Sequence, residues 1–157
     1  MNSVRLDPIT GDNVRSVFNL SVAPGQDQFV ASNAWSLAQA YALHDIAWPR
    51  AIVAGSEVVG FLMLQIDPAD EHGHHFFLWR LMVGAAHQRR GIGTAALALA
   101  LDEVRRRGGI EIFTSWVLGD GSPGLFYERL GFVPTGEVED GQIVGRLDLD
   151  PSARVAG

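Results

Sequence analysis

The chain has 157 residues, of which 47% are hydrophobic and 19% are charged, and its formal net charge is −6. This composition is typical of a globular domain, so we expect one domain over residues 1–150 and a tail over 151–157. The acidic balance argues against nucleic-acid binding, and the absence of cysteine excludes disulfides and thiolate chemistry. Because no apolar run reaches the roughly 18 residues of a membrane span and no secretory pattern is visible, we expect a cytoplasmic protein with no membrane contact.

The first half of the chain predicts one strand, a helical region and a hairpin. A strand is expected over Ser3–Pro8, and Thr10 has a side chain that can cap the helix after it. One or two further helices are expected from Phe29 to Leu43. Two apolar runs joined by a glycine-containing turn then predict a hairpin, with strands over Arg50–Ala54 and Val58–Ile66.

The second half of the chain alternates strands and helices. The strands are expected over Phe76–Val83, Ile110–Leu118, Phe132–Pro134 and Gln142–Leu149, and the helices over Thr94–Arg107 and Ser122–Leu130. After the first strand the helices come first, an antiparallel meander follows, and alternating strands and helices close the chain. This order predicts an α+β fold built on a mixed sheet.

Three of the five histidines fall within the segment Glu71–His75. A metal site needs ligands that converge from fixed positions, whereas this segment is a polar connection that contains glycine. We therefore predict a solvated loop at this place and no bound metal.

The most informative segment is the run from Gln88 to Gly93, between the strand that ends at Val83 and the next helix. Its two glycines leave backbone N–H groups unshielded, and a helix N-terminus attracts anions. Arg89 and Arg90 add positive charge to the same turn. A dinucleotide fingerprint would need a third glycine at Ala96, and no Walker sequence occurs. The run therefore predicts a binding site for another kind of phosphorylated cofactor or substrate.

Three blocks of sequence are similar to the GNAT superfamily of N-acetyltransferases. Leu81–Val83 followed by Arg89–Gly93 resembles its acetyl-CoA signature. Ser122–Phe132 resembles its later motif, in which a tyrosine precedes an acidic residue, a basic residue and Leu-Gly-Phe. Ala51–Val53 followed by Val59–Phe61 is similar to the central hairpin of the family. The resemblance implies a mostly antiparallel, splayed mixed sheet flanked by helices, and direct transfer of an acetyl group from acetyl-CoA to a primary amine in a ternary complex.

The resemblance also implies roles for individual residues. Tyr127 matches the position of the acid that protonates the leaving thiolate, and a phenol with a pKa near 10 suits that role. Asp120 stands where many members have asparagine, and an ionised aspartate accepts hydrogen bonds but cannot donate them. The expected contacts of acetyl-CoA are Leu81, Met82, Val83, Gln88, Arg89, Arg90, Gly91, Ile92, Gly93, Thr94, Asp120, Pro123, Phe126 and Arg129.

The acceptor amine is defined less closely. The segments Phe29–Ala40 and Phe77–Met82 resemble bacterial spermine/spermidine and diamine acetyltransferases, so a polyamine is the first expectation. Bulky residues before the hairpin favour a lid over a small-molecule amine, and Asn33, Trp35 and Gln39 are expected to face it. The alternatives are an antibiotic or amino-acid amine, a protein or peptide amine, and a non-catalytic acyl-CoA-binding sensor.

The base that removes the amine proton is not fixed by the sequence. The candidates are an ordered water molecule and the carboxylates of Asp45, Glu57, Asp67, Glu71 and Asp120. Arg80 shares a strand with the site, where it either pairs with an acidic residue or lines the acceptor pocket. A homodimer formed through the closing strands is a further open alternative.

Overall fold

The computed structural model describes residues 3–27 and 31–149, which form a seven-stranded sheet flanked by helices. The predicted helix start at Phe29 and the predicted tail over 151–157 lie outside the described residues. The strands are β1 (Val4–Pro8), β2 (Ala47–Ala54), β3 (Glu57–Ile66), β4 (Phe76–Val83), β5 (Glu111–Trp116), β6 (Val133–Glu139) and β7 (Gln142–Asp148). The helices are α1 (Val14–Phe18), α2 (Asn33–Ala42), α3 (Ile92–Arg106) and α4 (Gly124–Arg129), with a single 3-10 turn at Ala85–His87.

The sheet is mixed, and it opens at its centre. Its strand order is β1-β2-β3-β4-β5-β7-β6, and every neighbouring pair is antiparallel except β4 and β5. These two parallel strands pair only at Phe77 with Phe113 and at Leu78 with Thr114. Immediately after Leu78, Trp79 is an extra residue opposite β3, and such a bulge bends the strand. The predicted α+β fold with a splayed mixed sheet is confirmed.

Apolar side chains pack on both faces of the sheet. On one face α3 and α4 cover a cluster whose buried members include Leu62, Leu97 and Phe132. On the other face a smaller cluster includes Val17 of α1 and Phe61 of β3. Burying a large apolar side chain stabilises the fold by about 1.5–3 kcal/mol, so both clusters hold the strands that border the opening. None of the described helices combines the length and the apolar character that a membrane crossing requires.

The predicted strands and helices agree with the observed ones, and the shifts at their ends have local causes. β4 spans the predicted residues, and the predicted hairpin is present as β2 and β3. β2 begins at Ala47 and includes Pro49, which a strand tolerates here because β1 pairs with β2 only from Arg50 onward. α3 begins at Ile92, earlier than predicted, directly after Gly91 in the left-handed conformation.

The cap predicted for the first helix is wrong. Asn13, not Thr10, occupies the N-cap position of α1. Asn13 Oδ1 accepts a hydrogen bond from the Thr10 backbone N–H at 2.8 Å, so the side chain of Asn13 closes the turn before the helix and Thr10 supplies only a backbone donor. The second helix, α2, is capped by Ser32, whose Oγ accepts from the Trp35 backbone N–H at 3.1 Å.

The closing strands form a longer hairpin than the sequence predicts. β6 runs to Glu139, well beyond the predicted end at Pro134. Asp140 and Gly141 join it to β7 with φ angles of +50° and +76°. Aspartate followed by glycine with positive φ is the usual chemistry of a tight hairpin turn, and this turn carries the hairpin beside the opening of the sheet.

Candidate active site

A first cleft of about 410 Å³ lies where β4, the turn after it and the start of α3 meet the loop before α4. Its walls combine backbone groups of the turn with apolar side chains. The lining residues are Val22, Gln26, Leu81, Met82, Val83, His87, Gln88, Arg89, Gly91, Ile92, Gly93, Thr94, Gly121, Ser122, Pro123, Phe126 and Tyr127.

The turn between β4 and α3 presents unshielded backbone N–H groups to this cleft. Arg89 and Gly91 have φ angles of +65° and +75°, so the backbone alternates between conformations of opposite hand. Such alternation makes a concave set of N–H groups that binds anions. No described side chain caps the start of α3, and the first N–H groups of a helix have no partner within it. The turn therefore offers several donors and the positive end of a long helix to a phosphate.

Gly93 keeps the floor of the first cleft open. A Cβ atom built on Gly93 would lie 3.7 Å from Phe126 Cζ and 3.7 Å from Val83 Cγ2. Any side chain longer than a methyl group would therefore enter the cleft between these two residues.

Gln88 fastens the turn to its surroundings. Its Nε2 donates to the Val83 carbonyl at 3.0 Å and to Gln26 Oε1 at 2.8 Å. The amide thus joins the end of β4 to the loop before α2, and that loop supplies Val22 and Gln26 to the cleft wall. Gln88 lines the cleft, and the N–H groups of its side chain are engaged in these two bonds.

A second cleft, of about 390 Å³, lies on the other side of the opening. Leu81, Pro123 and Tyr127 line both clefts, so the two spaces meet at these residues. The other residues that line the second cleft are Ala31, Gln39, Gln65, Asp70, His74, Phe77, Leu78, Trp79, Arg80, Thr114, Ser115, Glu139, Asp140 and Gln142.

Tyr127 is held rigidly where the clefts meet. It is only 7% exposed, and its ring lies 5.3 to 5.9 Å, centre to centre, from those of Trp116, Phe126 and Phe132. Gly124, one turn before it on α4, lets the helix approach Trp116, because a Cβ there would lie 2.7 Å from the indole. Burial raises the pKa of Tyr127 to about 12, although a hydrogen bond with Thr114 acts in the opposite direction. The phenol therefore keeps its proton at physiological pH.

Thr114 connects Tyr127 to the point where the sheet opens. Its hydroxyl donates to the Leu78 carbonyl at 3.0 Å, and Leu78 with Thr114 is the last residue pair between β4 and β5. Thr114 is 2% exposed, and its side chain acts against the burial that raises the pKa of Tyr127.

Charged groups in the second cleft have both signs. Asp70, Glu139 and Asp140 contribute carboxylates, and Arg80 contributes a half-buried guanidinium. None of the five carboxylates considered as the base from sequence lines either cleft. Glu57 instead lies 3.4 Å from His87 Nε2.

The structure brings most of the expected cofactor contacts into the first cleft. Arg90, Asp120 and Arg129 are exceptions, because they line neither cleft. The expected residues that line it are Leu81, Met82, Val83, Gln88, Arg89, Gly91, Ile92, Gly93, Thr94, Pro123 and Phe126.

The three residues expected at the acceptor are separated from one another. Gln39 lines the second cleft. Asn33 is buried, and its Nδ2 donates to the Val17 carbonyl at 2.9 Å. Trp35 is 58% exposed and lines neither cleft. These positions follow from the polar and small residues, such as Ser36 and Ala40, that α2 buries in place of its aromatic ones.

Several cleft residues were not singled out from the sequence. Thr114 carries a signal that could have been found in the sequence, since it is a polar residue within an apolar strand. Asp140 and Gln26 carry none, because they lie in loops and turns. The solvated loop predicted for Glu71–His75 is wrong at His74, whose ring packs against that of Phe113, 4.3 Å from centre to centre. His74 is buried, and its Nε2 lies 3.1 Å from Glu137 Oε2 on β6. No group of three or more potential metal ligands occurs within residues 3–27 and 31–149.

Comparison with known families gives a match that contains every residue lining the first cleft. The sequence model of the acetyltransferase (GNAT) family matches residues 15–132. This range begins in α1 and ends after α4, so it contains the turn before α3 and Tyr127. No protein of curated function matches the chain.

Solved structures share the fold at low sequence identity. An aminoglycoside 6'-N-acetyltransferase complexed with coenzyme A is 19% identical, with 94% of this chain and 98% of that chain covered and a TM-score of 0.69. The PaiA N-acetyltransferase of Thermoplasma acidophilum, also in complex with coenzyme A, is 15% identical, with coverage of 93% and 99% and a TM-score of 0.68. The ribosomal-protein-S18-alanine N-acetyltransferase of Escherichia coli is 16% identical, with coverage of 95% and 94% and a TM-score of 0.68.

Proposed function

This chain belongs to the GNAT acetyltransferase family, and from that premise we propose that it transfers the acetyl group of acetyl-CoA to a primary amine of a small molecule. It is an acyltransferase, and acetyl-CoA is its co-substrate. The observation that carries the proposal is the junction of two clefts at Leu81, Pro123 and Tyr127. A transfer reaction needs two substrates that meet at one point, and this geometry supplies one cleft for each.

The first cleft suits the phosphorylated end and the thioester arm of acetyl-CoA. Its turn provides backbone donors and the Arg89 side chain for the pyrophosphate. Beyond Leu78, β4 has lost its neighbour β5, so that edge of the strand is open. An extended chain can bind such an edge as an added strand. The pantetheine arm would then follow β4 toward Leu81, with the phosphates at the turn.

The reaction itself exchanges one bond, from carbon–sulfur to carbon–nitrogen, and moves protons at the amine, the sulfur and Tyr127. The neutral amine attacks the thioester carbonyl, and backbone N–H groups of the open β4 edge, near Met82 or Val83, stabilise the oxyanion that forms. As the carbon–sulfur bond breaks, Tyr127 gives its phenolic proton to the sulfur. The product amide loses its extra proton to water, and Tyr127 regains a proton from solvent. Burial raises the pKa of Tyr127, so the phenol arrives protonated.

Removal of the first proton from the acceptor is assigned to water rather than to a carboxylate. A free alkylamine has a pKa near 10.4 and binds mostly as the ammonium ion. The carboxylates that line the second cleft are those of Asp70, Glu139 and Asp140. Asp70 Oδ2 already accepts from the backbone N–H groups of His72 and His74 at 3.0 and 2.9 Å. It therefore acts as a structural acceptor first and is a poor candidate for the base.

Polyamines are the finer acceptor hypothesis within this class. The three carboxylates of the second cleft support it, because a second ammonium group needs a negative partner. Arg80 stands against it, because a guanidinium in the same cleft repels a polycation. Because the cleft carries charges of both signs, amines that differ in charge are the most informative acceptors to compare.

The proposal is tested by thiol release from acetyl-CoA across a panel of spermine, spermidine, putrescine, aminoglycosides, amino acids and short peptides. The chain contains neither cysteine nor lysine, so the protein adds no thiol signal and no side-chain amine that could be acetylated. Turnover on small amines is the expected result. Turnover on peptides alone would show that the acceptor is a peptide amine rather than a small molecule. Binding of acetyl-CoA without turnover on any amine would overturn the proposal.

We also propose that a homodimer, if it forms, uses β6. All seven residues of this edge strand are exposed, including Val133 and Val138 at 63% and 70%. An exposed edge strand is a template for pairing with a second chain. Elution volume in size-exclusion chromatography, compared with that of a Val138→Lys variant, tests this.

A further inference from the structure

Arg80 lies in the wall of the second cleft, and none of its described hydrogen-bond acceptors is an acidic side chain. Its Nε donates to Ser36 Oγ at 3.0 Å, its Nη1 to the Trp79 carbonyl at 2.8 Å, and its Nη2 to Gln39 Oε1 at 3.1 Å. All three acceptors are neutral. Within residues 3–27 and 31–149, Arg80 makes no salt bridge.

These bonds fix the direction of the guanidinium without neutralising it. Ser36 is fully buried on α2, and Arg80 itself is half-buried on β4, so the side chain has little freedom to move. Burial lowers the pKa of Arg80, yet a guanidinium stays charged in proteins. Burying an unpaired charge is costly, and a guanidinium has five N–H donors, so donors remain for a ligand in the cleft.

We propose that Arg80 binds a carboxylate of the acceptor, so that the substrate is a small amino acid rather than a plain amine or a polyamine. This inference rests on the proposed function and narrows it. A carboxylate is a planar anion that a guanidinium binds through two parallel, charge-assisted hydrogen bonds. Arg80 precedes Leu81, where the two clefts meet, so a molecule with its carboxylate on Arg80 can extend its amine toward the thioester.

The size and the remaining charges of the cleft agree with an amino acid. A cleft of about 390 Å³ admits a small molecule, and its wall also carries the carboxylates of Asp70, Glu139 and Asp140. An amino acid that has a second amine would satisfy both signs, with its carboxylate on Arg80 and its spare ammonium group near these residues. A polyamine satisfies only the negative ones.

Matched acceptors that differ only in the carboxylate test the proposal. Ornithine and putrescine are one such pair, lysine and cadaverine are the other, and lysinamide shows whether the negative charge is required. We expect kcat/KM to be about 10- to 100-fold higher for the amino acid of each pair, the range of a hydrogen-bonded charged contact. In Arg80→Met this ratio should collapse to about one, while the affinity for acetyl-CoA stays unchanged.

The ratio of the two kcat/KM values of a pair, measured in one variant, separates recognition of the carboxylate from stability of the protein. Loss of folded protein lowers both rates of a pair equally, so a purely structural role of Arg80 would leave the ratio unchanged. Arg50→Met is the control, because Arg50 also lies against a tryptophan, at 3.9 Å from the Trp48 ring centre, and donates to the preceding carbonyl. It lines neither cleft, so its ratio should equal that of the wild type.

The outcomes are distinguishable. Equal or faster acetylation of putrescine and cadaverine by the wild type would overturn the amino-acid inference and leave the proposed function intact. An unchanged ratio in Arg80→Met would remove Arg80 as the carboxylate partner. Failure to acetylate any amine would overturn the proposed function and this inference together.

Discussion

Thr114 Oγ1 donates a hydrogen bond of 3.0 Å to the Leu78 carbonyl at the last residue pair between β4 and β5, where the sheet opens. Tyr127, the proposed acid, lines the same cleft, and the Thr114 side chain opposes the rise in its pKa. The opening of the sheet and the surroundings of the acid therefore share one side chain.

Thr114→Val should lower kcat and destabilise the protein. The change leaves the Leu78 carbonyl without the Thr114 hydroxyl, and a buried unsatisfied group costs about 1–3 kcal/mol. Thr114→Ser keeps the hydroxyl and should restore most of kcat. Chemical denaturation and steady-state kinetics measure the two effects, and equal kcat in all three proteins would show that Thr114 does not position the acid.

The stability of the folded protein should depend on Tyr127 at alkaline pH. Burial raises its folded pKa to about 12, while an unfolded phenol has a pKa near 10. The stabilisation is fully present below about pH 10 and is lost as the pH rises through about 12, so the free energy of unfolding falls across this window. The total change is about 2–3 kcal/mol.

The titration of Tyr127 can be followed separately in this pH range, because the chain contains no lysine and only two tyrosines. In a Tyr41→Phe variant, all near-ultraviolet tyrosinate absorbance arises from Tyr127. The absorbance should rise well above pH 10 in the folded protein and near pH 10 in denaturant. Titration at the same pH in both states would contradict the buried, protonated phenol.

Gly91→Asp should weaken acetyl-CoA binding more than Gly91→Asn does. Both substitutions place a side chain of the same size at a φ of +75°, and both cost about 1–2 kcal/mol of backbone strain. Only aspartate adds a negative charge beside the expected phosphates. Isothermal titration with acetyl-CoA measures the difference, and equal affinities would show that the pyrophosphate lies elsewhere.

Gly93→Leu should lower affinity for acetyl-CoA without unfolding α3. A leucine at this position would pass Phe126 and Val83 into the first cleft, and overpacking of this kind costs about 1–3 kcal/mol. Replacement of glycine within a helix otherwise favours the helix by about 1 kcal/mol. Ala98→Leu on the exposed face of the same helix is the control, and it should bind acetyl-CoA as the wild type does. Equal affinities for both variants would rule out Gly93 as part of the cofactor site.

Local chemistry explains why the lining of the first cleft was predictable from sequence. The run from Gln88 to Gly93 carries its own glycines and arginines, and Tyr127 is recognised by its immediate neighbours. The strand β4 was predicted with its observed limits because a polar turn precedes its apolar residues and Gly84 follows them.

The lining of the second cleft was not predictable, because it is assembled from distant parts of the chain. Thr114 meets Leu78 across 36 positions, and Arg80 meets Ser36 across 44. The bulge at Trp79 and the pairing of His74 with Glu137 depend on the folded sheet. Hydrophobic periodicity also misleads on α2, where Trp35 is exposed and Ser36 is buried.

The most direct test of the central claim is the turnover of Tyr127→Phe. Phenylalanine keeps the ring contacts with Trp116 and Phe132, and Thr114 keeps its bond to Leu78, so the site should stay folded and bind acetyl-CoA as before. Loss of a general acid predicts a fall in kcat of about 100-fold or more, whereas Tyr41→Phe, at a residue 85% exposed, should retain full activity. Wild-type kcat in Tyr127→Phe would contradict the account, because the acid at the junction of the two clefts would then be dispensable.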